Sequence, residues 1–198
     1  MYQLLETIKL EKGQVCNLRY HQRRVDDSRM ILFNIKEQLD IEPAINVPLR
    51  ARQGVYKCRI VYGKEINDIQ YIPYLTKKIK SLQLVEDNEI DYKFKYANRE
   101  CFDSLLDDCI YDEILIIRNG FITDTSFSNI IFFDGNRWYT PASPLLKGTK
   151  RQQLLDEGKI FAEEIRPSDL KHFSKAMLIN SMLDFNLKRM IPICDIVV

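Results

Sequence analysis

The sequence predicts a mixed α/β (α+β) fold, and three observations carry the prediction. Short apolar runs with strand character flank turn pairs at Asn119-Gly120 and Asp134-Gly135, residue types that supply the positive φ of tight reversals. Two further strand-like runs flank Glu11-Lys12-Gly13 and lead into a stretch of helical period. A second helical period follows the Asp134-Gly135 strands, with Leu154, Leu155 and Phe161 recurring on one side. At 198 residues and 45% hydrophobic content, the chain can fold as one compact unit or as two small lobes.

In order, strands are expected over 3–10 and 14–18, a helix over 19–34, and strands over 55–62, 66–71 and 78–85 that complete a first lobe. Residues 86–91 are the best linker candidate, dividing a lobe of 1–88 from a larger one of 89–198. Beyond it, 98–109 reads as an amphipathic helix. Strands over 114–117, 121–123, 130–133 and 138–140 follow, then a helix over 150–164, a strand over 176–180 and a last strand over 190–193. There is no internal repeat or low-complexity tract.

Charge and composition narrow the function. A net charge of +1, a pI near 7.6 and the acidic stretch 86–113 argue against a nucleic-acid partner, whose phosphates need a basic face. No apolar run approaches the ~18 residues of a membrane span, and the N-terminal MYQLLETIKLEKG has no signal-peptide apolar core, so no membrane partner and a cytoplasmic location are expected. Five cysteines form no C-x-x-C pair and leave one over, as reduced thiols do. With His21 and His172 as the two histidines, no His-rich metal site is expected.

Local chemistry concentrates in three places. Residues 123–129, TDTSFSN, interrupt an apolar sheet with polar side chains, which invites a ligand. In LLKGTKR, Gly148 frees the backbone and Thr149 can cap the helix, so a phosphate would fit before its free N–H groups; an ordinary capped helix gives the same pattern. On the first helix, Arg24 shares a face with His21, Val25, Ser28 and Leu32. A guanidinium on an inward face needs an anion, either a ligand or a nearby carboxylate. Arg23 lies about 100° around the helix and faces elsewhere.

Together, T-D-x-S-x-S-N-I-I-F, then Y-T-P, then L-L-x-G-T-x-R-x-x-L-L resemble the C-terminal domain of class IV pyridoxal-phosphate (PLP) enzymes. That group contains D-amino acid and branched-chain aminotransferases and 4-amino-4-deoxychorismate lyase. Lys95-Tyr96-Ala97-Asn98-Arg99 resembles the lyase's K-x-x-N-R signature, while Glu6-Thr7 and His21-Gln22-Arg23-Arg24 resemble the family's F-E-T and H-x-x-R segments. The resemblance implies a two-lobed fold-type IV (D-amino acid aminotransferase-like) enzyme with PLP in the cleft. It places the cofactor lysine at Lys95, with Lys93 as rival, and the phosphate grip on Arg24. The backbone of Gly148, Thr149 and Lys150 and the Asn180-Ser181 loop would complete the phosphate cup. Asp124, five residues before Asn129, takes the place of the acid at the pyridine nitrogen. The family usually has Glu there, so the carboxylate is shorter by about 1.5 Å. The family's longer N-terminal stretch before F-E-T is also shortened here.

K-x-x-N-R and the short length make the chain resemble the lyase most. That implies a small-molecule amine substrate, Lys95 as the base at the amine-bearing carbon, and release of pyruvate to leave 4-aminobenzoate. An aminotransferase acting on D-amino or branched-chain amino acids shares the same lysine and electron sink, and a PLP-fold protein without turnover is a third reading. The resemblance further implies a homodimer.

Overall fold

A computed structural model describes residues 2–197. They divide into two compact units, 2–76 with 94–98, and 77–93 with 99–197. The sequence boundary at 88/89 assigns 94–98 to the larger lobe, whereas contacts group that segment with the first unit.

In the first unit, β1 (Leu4–Glu11) turns through Lys12 and Gly13, both at positive φ, into the short β2 (Gln14–Val15). Helix α1 (Leu18–Phe33) follows and ends at Asn34, whose left-handed backbone turns its N–H back to the Met30 carbonyl. Then come β3 (Val55–Tyr62) and β4 (Ile66–Pro73), giving an antiparallel sheet of order β2-β1-β3-β4. Strand alternation sends Leu4, Ile8 and Leu10 of β1 and Cys58, Ile60 and Tyr62 of β3 into one core, where Val25 of α1 packs. Glu6 shares that inward alternation, and the buried side of α1 carries His21, Ser28 and Arg29. Polar groups so placed need partners from within the unit.

The second unit holds β5 (Leu82–Glu86), α2 (Asp103–Asp107), β6 (Glu113–Arg118), β7 (Phe121–Thr125), β8 (Asn129–Phe133) and β9 (Trp138–Pro141). After them come α3 (Thr149–Asp156), β10 (Phe161–Glu163), β11 (Lys175–Ile179), β12 (Ile191–Pro192) and β13 (Ile196–Val197). The sheet runs β10-β9-β8-β7-β6-β5-β13, with β11 lying along β8 and β12 on β11. Leu82, Leu115, Ile122, Ile130, Phe132 and Leu178 belong to its larger core cluster. β7 and β8 share one residue pair, Asp124↔Asn129, before β7 turns to β6 and β8 to β9 and β11. The sheet therefore forks at the residues that the resemblance singles out.

Several sequence expectations change. The strand expected at 78–85 to complete the first lobe is instead β5, parallel to β6 and β13 in the second unit, because Leu82 joins that unit's core. The helix expected over 98–109 shrinks to a 3-10 turn at Glu100–Phe102 and the single turn of α2. Asp107 and Asp108 crowd its C-terminal end, where the helix dipole disfavours anions. The helix expected over 150–164 stops at Asp156, since Gly158 adopts φ 64° and β10 then pairs with β9. The seven-residue polar interruption is a tight hairpin turn: Thr125 N–H and hydroxyl both donate to the Ser128 carbonyl.

Candidate active site

In the first unit, Glu6 is fully buried and receives two hydrogen bonds from Arg24, Nε to Oε1 at 2.8 Å and Nη2 to Oε2 at 2.6 Å. His21 Nδ1 lies 2.5 Å from the same Oε2. Burial alone would raise the Glu6 pKa, yet the Arg24 charge and the His21 hydrogen bond outweigh it and hold the carboxyl at about 2. Burial pushes the His21 imidazole the other way, below its ordinary value, so the ring is neutral at pH 7. With Glu6 ionised, Nδ1 carries the proton and donates it to the carboxylate, which leaves Nε2 as a buried acceptor with no hydrogen-bond partner in the described structure.

Lys95 stands beside this cluster, and its charge contributes to the depression of His21. Its segment lies along β1 as an added strand: Leu5 N–H donates to the Lys95 carbonyl at 2.8 Å, and Ala97 N–H to the Gln3 carbonyl at 2.8 Å. The sequence places Lys95 ahead of a helix; the structure anchors it on β1 instead, because that helix does not form. Lys95 is half-buried, whereas Lys93 is exposed and belongs to the other unit. Arg99, the last residue of K-x-x-N-R, donates Nη2 to the Ser126 carbonyl at 2.8 Å within the second unit.

The fork of the second sheet is built around Asp124, which is 4% exposed. Its Oδ1 accepts from Asn129 Nδ2 at 2.7 Å and its Oδ2 from Leu146 N–H at 2.9 Å, while Asn129 Nδ2 also donates to the Leu146 carbonyl at 2.8 Å. Asp124 thus clasps a loop beyond its own turn, rather than capping that turn. Burial raises its pKa to about 6 despite these bonds and the charge of Arg151, a side chain 5% exposed that donates Nη2 to the Pro141 carbonyl. The Leu145 N–H also reaches this carboxylate and acts in the same direction as Leu146 and Asn129, lowering its pKa.

Gly148 is the N-cap of α3, with an ordinary extended backbone at φ −67°. Its lack of a side chain matters for space: a Cβ here would lie 2.0 Å from Asn129 Oδ1. Thr149, expected as the cap, is the first helical residue and is buried. Lys150 directs Nζ to Gln153 Oε1 at 3.0 Å and to Asp184 at 3.7 Å. Asn180 accepts from Met182 and Leu183 N–H groups and donates to Ser128 Oγ at 2.9 Å, which seats the 180–183 turn, with Ser181, against the β7–β8 turn.

The first unit thus gathers Arg24 and Lys95, and the second gathers Asp124, Asn129, Gly148, Thr149 and Lys150, with Asn180 on its hairpin turn. Sequence reasoning left Glu6 without a role. The signal was present in Leu4-x-Glu6-x-Ile8-x-Leu10, an acid on the inward side of an alternating strand. Arg151 gives a weaker signal, being a cation on the Leu154 side of a helix.

The sequence model of the amino-transferase class IV family matches residues 93–194. A Haemophilus influenzae protein described as uncharacterized is 37% identical over 92% of this chain and 98% of its own length. The chain belongs to the class IV amino-transferase family. Its fold is that of the fold-type IV PLP enzymes, as the solved structures bear out. One, from Haemophilus somnus and provisionally named 4-amino-4-deoxychorismate lyase, superposes on this class IV chain with a TM-score of 0.84 at 38% identity, covering 92% of this chain and 97% of that one. Another, a hypothetical aminotransferase from Mycobacterium tuberculosis in its PLP-bound form, gives 0.75 at 15% identity over 91% and 78%, a likeness of fold alone. Among the described residues of the class IV chain, no helix is long and apolar enough to cross a membrane.

Proposed function

We propose that this chain binds PLP and acts as a lyase of the aminodeoxychorismate type, releasing pyruvate from its amine substrate to leave 4-aminobenzoate. The observation that carries the reading is the half-buried Lys95, fixed to β1 beside the Glu6–His21–Arg24 cluster. Each unit carries groups that suit polar parts of the cofactor: the first an amine for its carbonyl and a guanidinium for its phosphate, the second helix-start N–H groups for a phosphate and a buried acid for its ring nitrogen. Asp124 in particular is a carboxyl whose ionised form is costly where it stands, and an N–H donor beside it would relieve that cost.

When bound, PLP supplies an electron-withdrawing ring that stabilises negative charge at the substrate's amine-bearing carbon. Arg24, oriented by Glu6, binds phosphate through charge-assisted hydrogen bonds. The N–H groups of Thr149 and Lys150 at the start of α3 would add the positive end of the helix dipole. Asp124, held in place by Asn129 and Leu146, would be the acid beside the cofactor's ring nitrogen. Lys95 would take the proton from the amine-bearing carbon; the C–O bond to the enolpyruvyl group then breaks, its electron pair leaving with that oxygen, and the released enolate takes up a proton to become pyruvate.

A second reading, an aminotransferase, draws on the same residues and on the match to the amino-transferase class IV family. It differs in where Lys95 returns the proton. Both are tested together: protein loaded with PLP and reduced with borohydride is expected to carry the label on Lys95, and Lys95→Ala none. Pyruvate release from 4-amino-4-deoxychorismate then supports the lyase, and keto-acid formation from amino acids supports the aminotransferase. A label on Lys93, or none, overturns the assignment. A homodimer is proposed from the family resemblance; light scattering that gives a fully active monomer would defeat it.

A further inference from the structure

We infer that Glu6 is a positioning residue for the cofactor's phosphate, acting through Arg24 and with His21 as its neutral prop; the inference rests on the PLP reading above. Glu6 engages Arg24 side-on, through Nε and Nη2 together. Such a two-point contact fixes the plane of a guanidinium and the direction in which its remaining edge points, which a single ion-pair contact does not. A plain structural salt bridge has no need of the third member. Here Oε2 also accepts a hydrogen bond from His21 Nδ1, so the carboxylate is held by a second side chain besides Arg24.

The burial pattern supports the same conclusion. Glu6 and His21 are both fully buried, whereas the Arg24 side chain is 14% exposed. The anion and its prop are sealed, and the Arg24 side chain alone of the three keeps some exposure. Neutral His21 matters for the charge: it adds a hydrogen bond without adding a proton's charge, so Glu6 directs its field at Arg24 and the nearby Lys95. Asp26 is felt at Tyr62, which also lies in the field of Glu6 and Arg24. Glu6 does not touch the cofactor in this scheme. Its effect is confined to how well Arg24 is aimed.

The test compares affinity for PLP with affinity for pyridoxal, which lacks the phosphate, in the intact protein. Their ratio isolates phosphate recognition from everything else the site does. Wild type is expected to prefer PLP strongly, and Arg24→Ala to lose most of that preference. Glu6→Gln, which keeps size and one acceptor but not the charge, is expected to lower the PLP-to-pyridoxal ratio by about 10- to 100-fold, the range a lost charge-assisted hydrogen bond spans. Pyridoxal affinity should stay near wild type, and in the Arg24→Ala background the Glu6 change should add little. If Glu6→Gln lowers affinity for both ligands equally, or leaves the ratio unchanged while Arg24→Ala collapses it, Glu6 is structural and the inference fails. A wild type without preference for PLP overturns the PLP reading itself, and the inference with it. Should Glu6→Gln not fold, Glu6→Asp retains the charge but withdraws it by about 1.5 Å. It is expected to lower the ratio partially, and an unchanged ratio in this folded variant would equally defeat the idea.

Discussion

Gly148→Ala is a one-methyl test of the clasp at the sheet fork. At φ −67° and ψ 146° an alanine has no backbone strain to meet, so any cost comes from contact. The added Cβ would lie 2.0 Å from Asn129 Oδ1 and 3.2 Å from its Cγ, and Asn129 must move. It is 5% exposed, and its Nδ2 donates both to the Asp124 carboxylate and to the Leu146 carbonyl. Losing one bond to a charged acceptor and one to a neutral one amounts to about 2–4 kcal/mol. Urea unfolding followed through the single tryptophan, Trp138 on β9, reports on this unit. The decisive comparison is a double-mutant cycle: with Asn129→Ala the obstructing side chain is gone, and alanine at 148 should then cost almost nothing. A Gly148→Ala protein within about 0.5 kcal/mol of wild type would refute the clash, as would equal costs in the two backgrounds.

The buried acids give opposite pH limbs. Asp124, raised from 3.8 to about 6, binds its proton more tightly when folded, so stability on the order of 3 kcal/mol is lost as pH rises from 3.8 through about 6; Asp124→Asn should flatten that limb in urea titrations across pH 3–7. Glu6, lowered from 4.5 to about 2, contributes stability that is full above 4.5 and lost as pH falls toward 2, on the order of 3 kcal/mol, and Glu6→Gln should flatten this lower limb. Arg151→Met removes the charge beside Asp124, so the upper limb should extend to higher pH; an unmoved limb would deny the coupling. Cys58, fully buried with its thiol pushed up to about 11 by burial, should resist alkylation in native protein while exposed Cys194 reacts; fast native labelling of Cys58, read by peptide mass spectrometry, would contradict its burial.

Much of the fold was legible because period-two patterns and Asn-Gly or Asp-Gly turns report local geometry. The hairpin at Asn119-Gly120, with φ 53° and 77°, and strand β3 stand where they were expected. What failed were elements whose fate depends on distant partners. The 78–85 run is strand-like in either unit, and the burial of Leu82 among Leu115 and Ile122 decides where it goes. The apolar positions after Gly158 suit a helix locally, but pairing of Phe161 with Tyr139 draws them into a strand. At the candidate site, the motifs picked out Arg24, Lys95, Asp124 and Asn129 but not the bonds that join them to one another and to Glu6. The Leu146 amide that Asp124 holds is a backbone group, and no side-chain pattern can announce it.

The fork between β7 and β8 also bears on how motion is distributed through the second unit. A sheet joined by full ladders deforms as one plate, whereas two halves meeting at a single pair, Asp124↔Asn129, can flex about it as about a pin. The Leu146 amide is the pin's latch, and its hydrogen-exchange rate should track the protonation of Asp124, slowing as pH falls below about 6 relative to the β8–β11 ladder amides, because the closed fork binds the acid's proton more tightly than an opened one. If Leu146 exchanges in step with that ladder at every pH, after correction for intrinsic rates, the halves move together. Independent exchange would make the acid's own proton the control on how stiffly the two halves are joined.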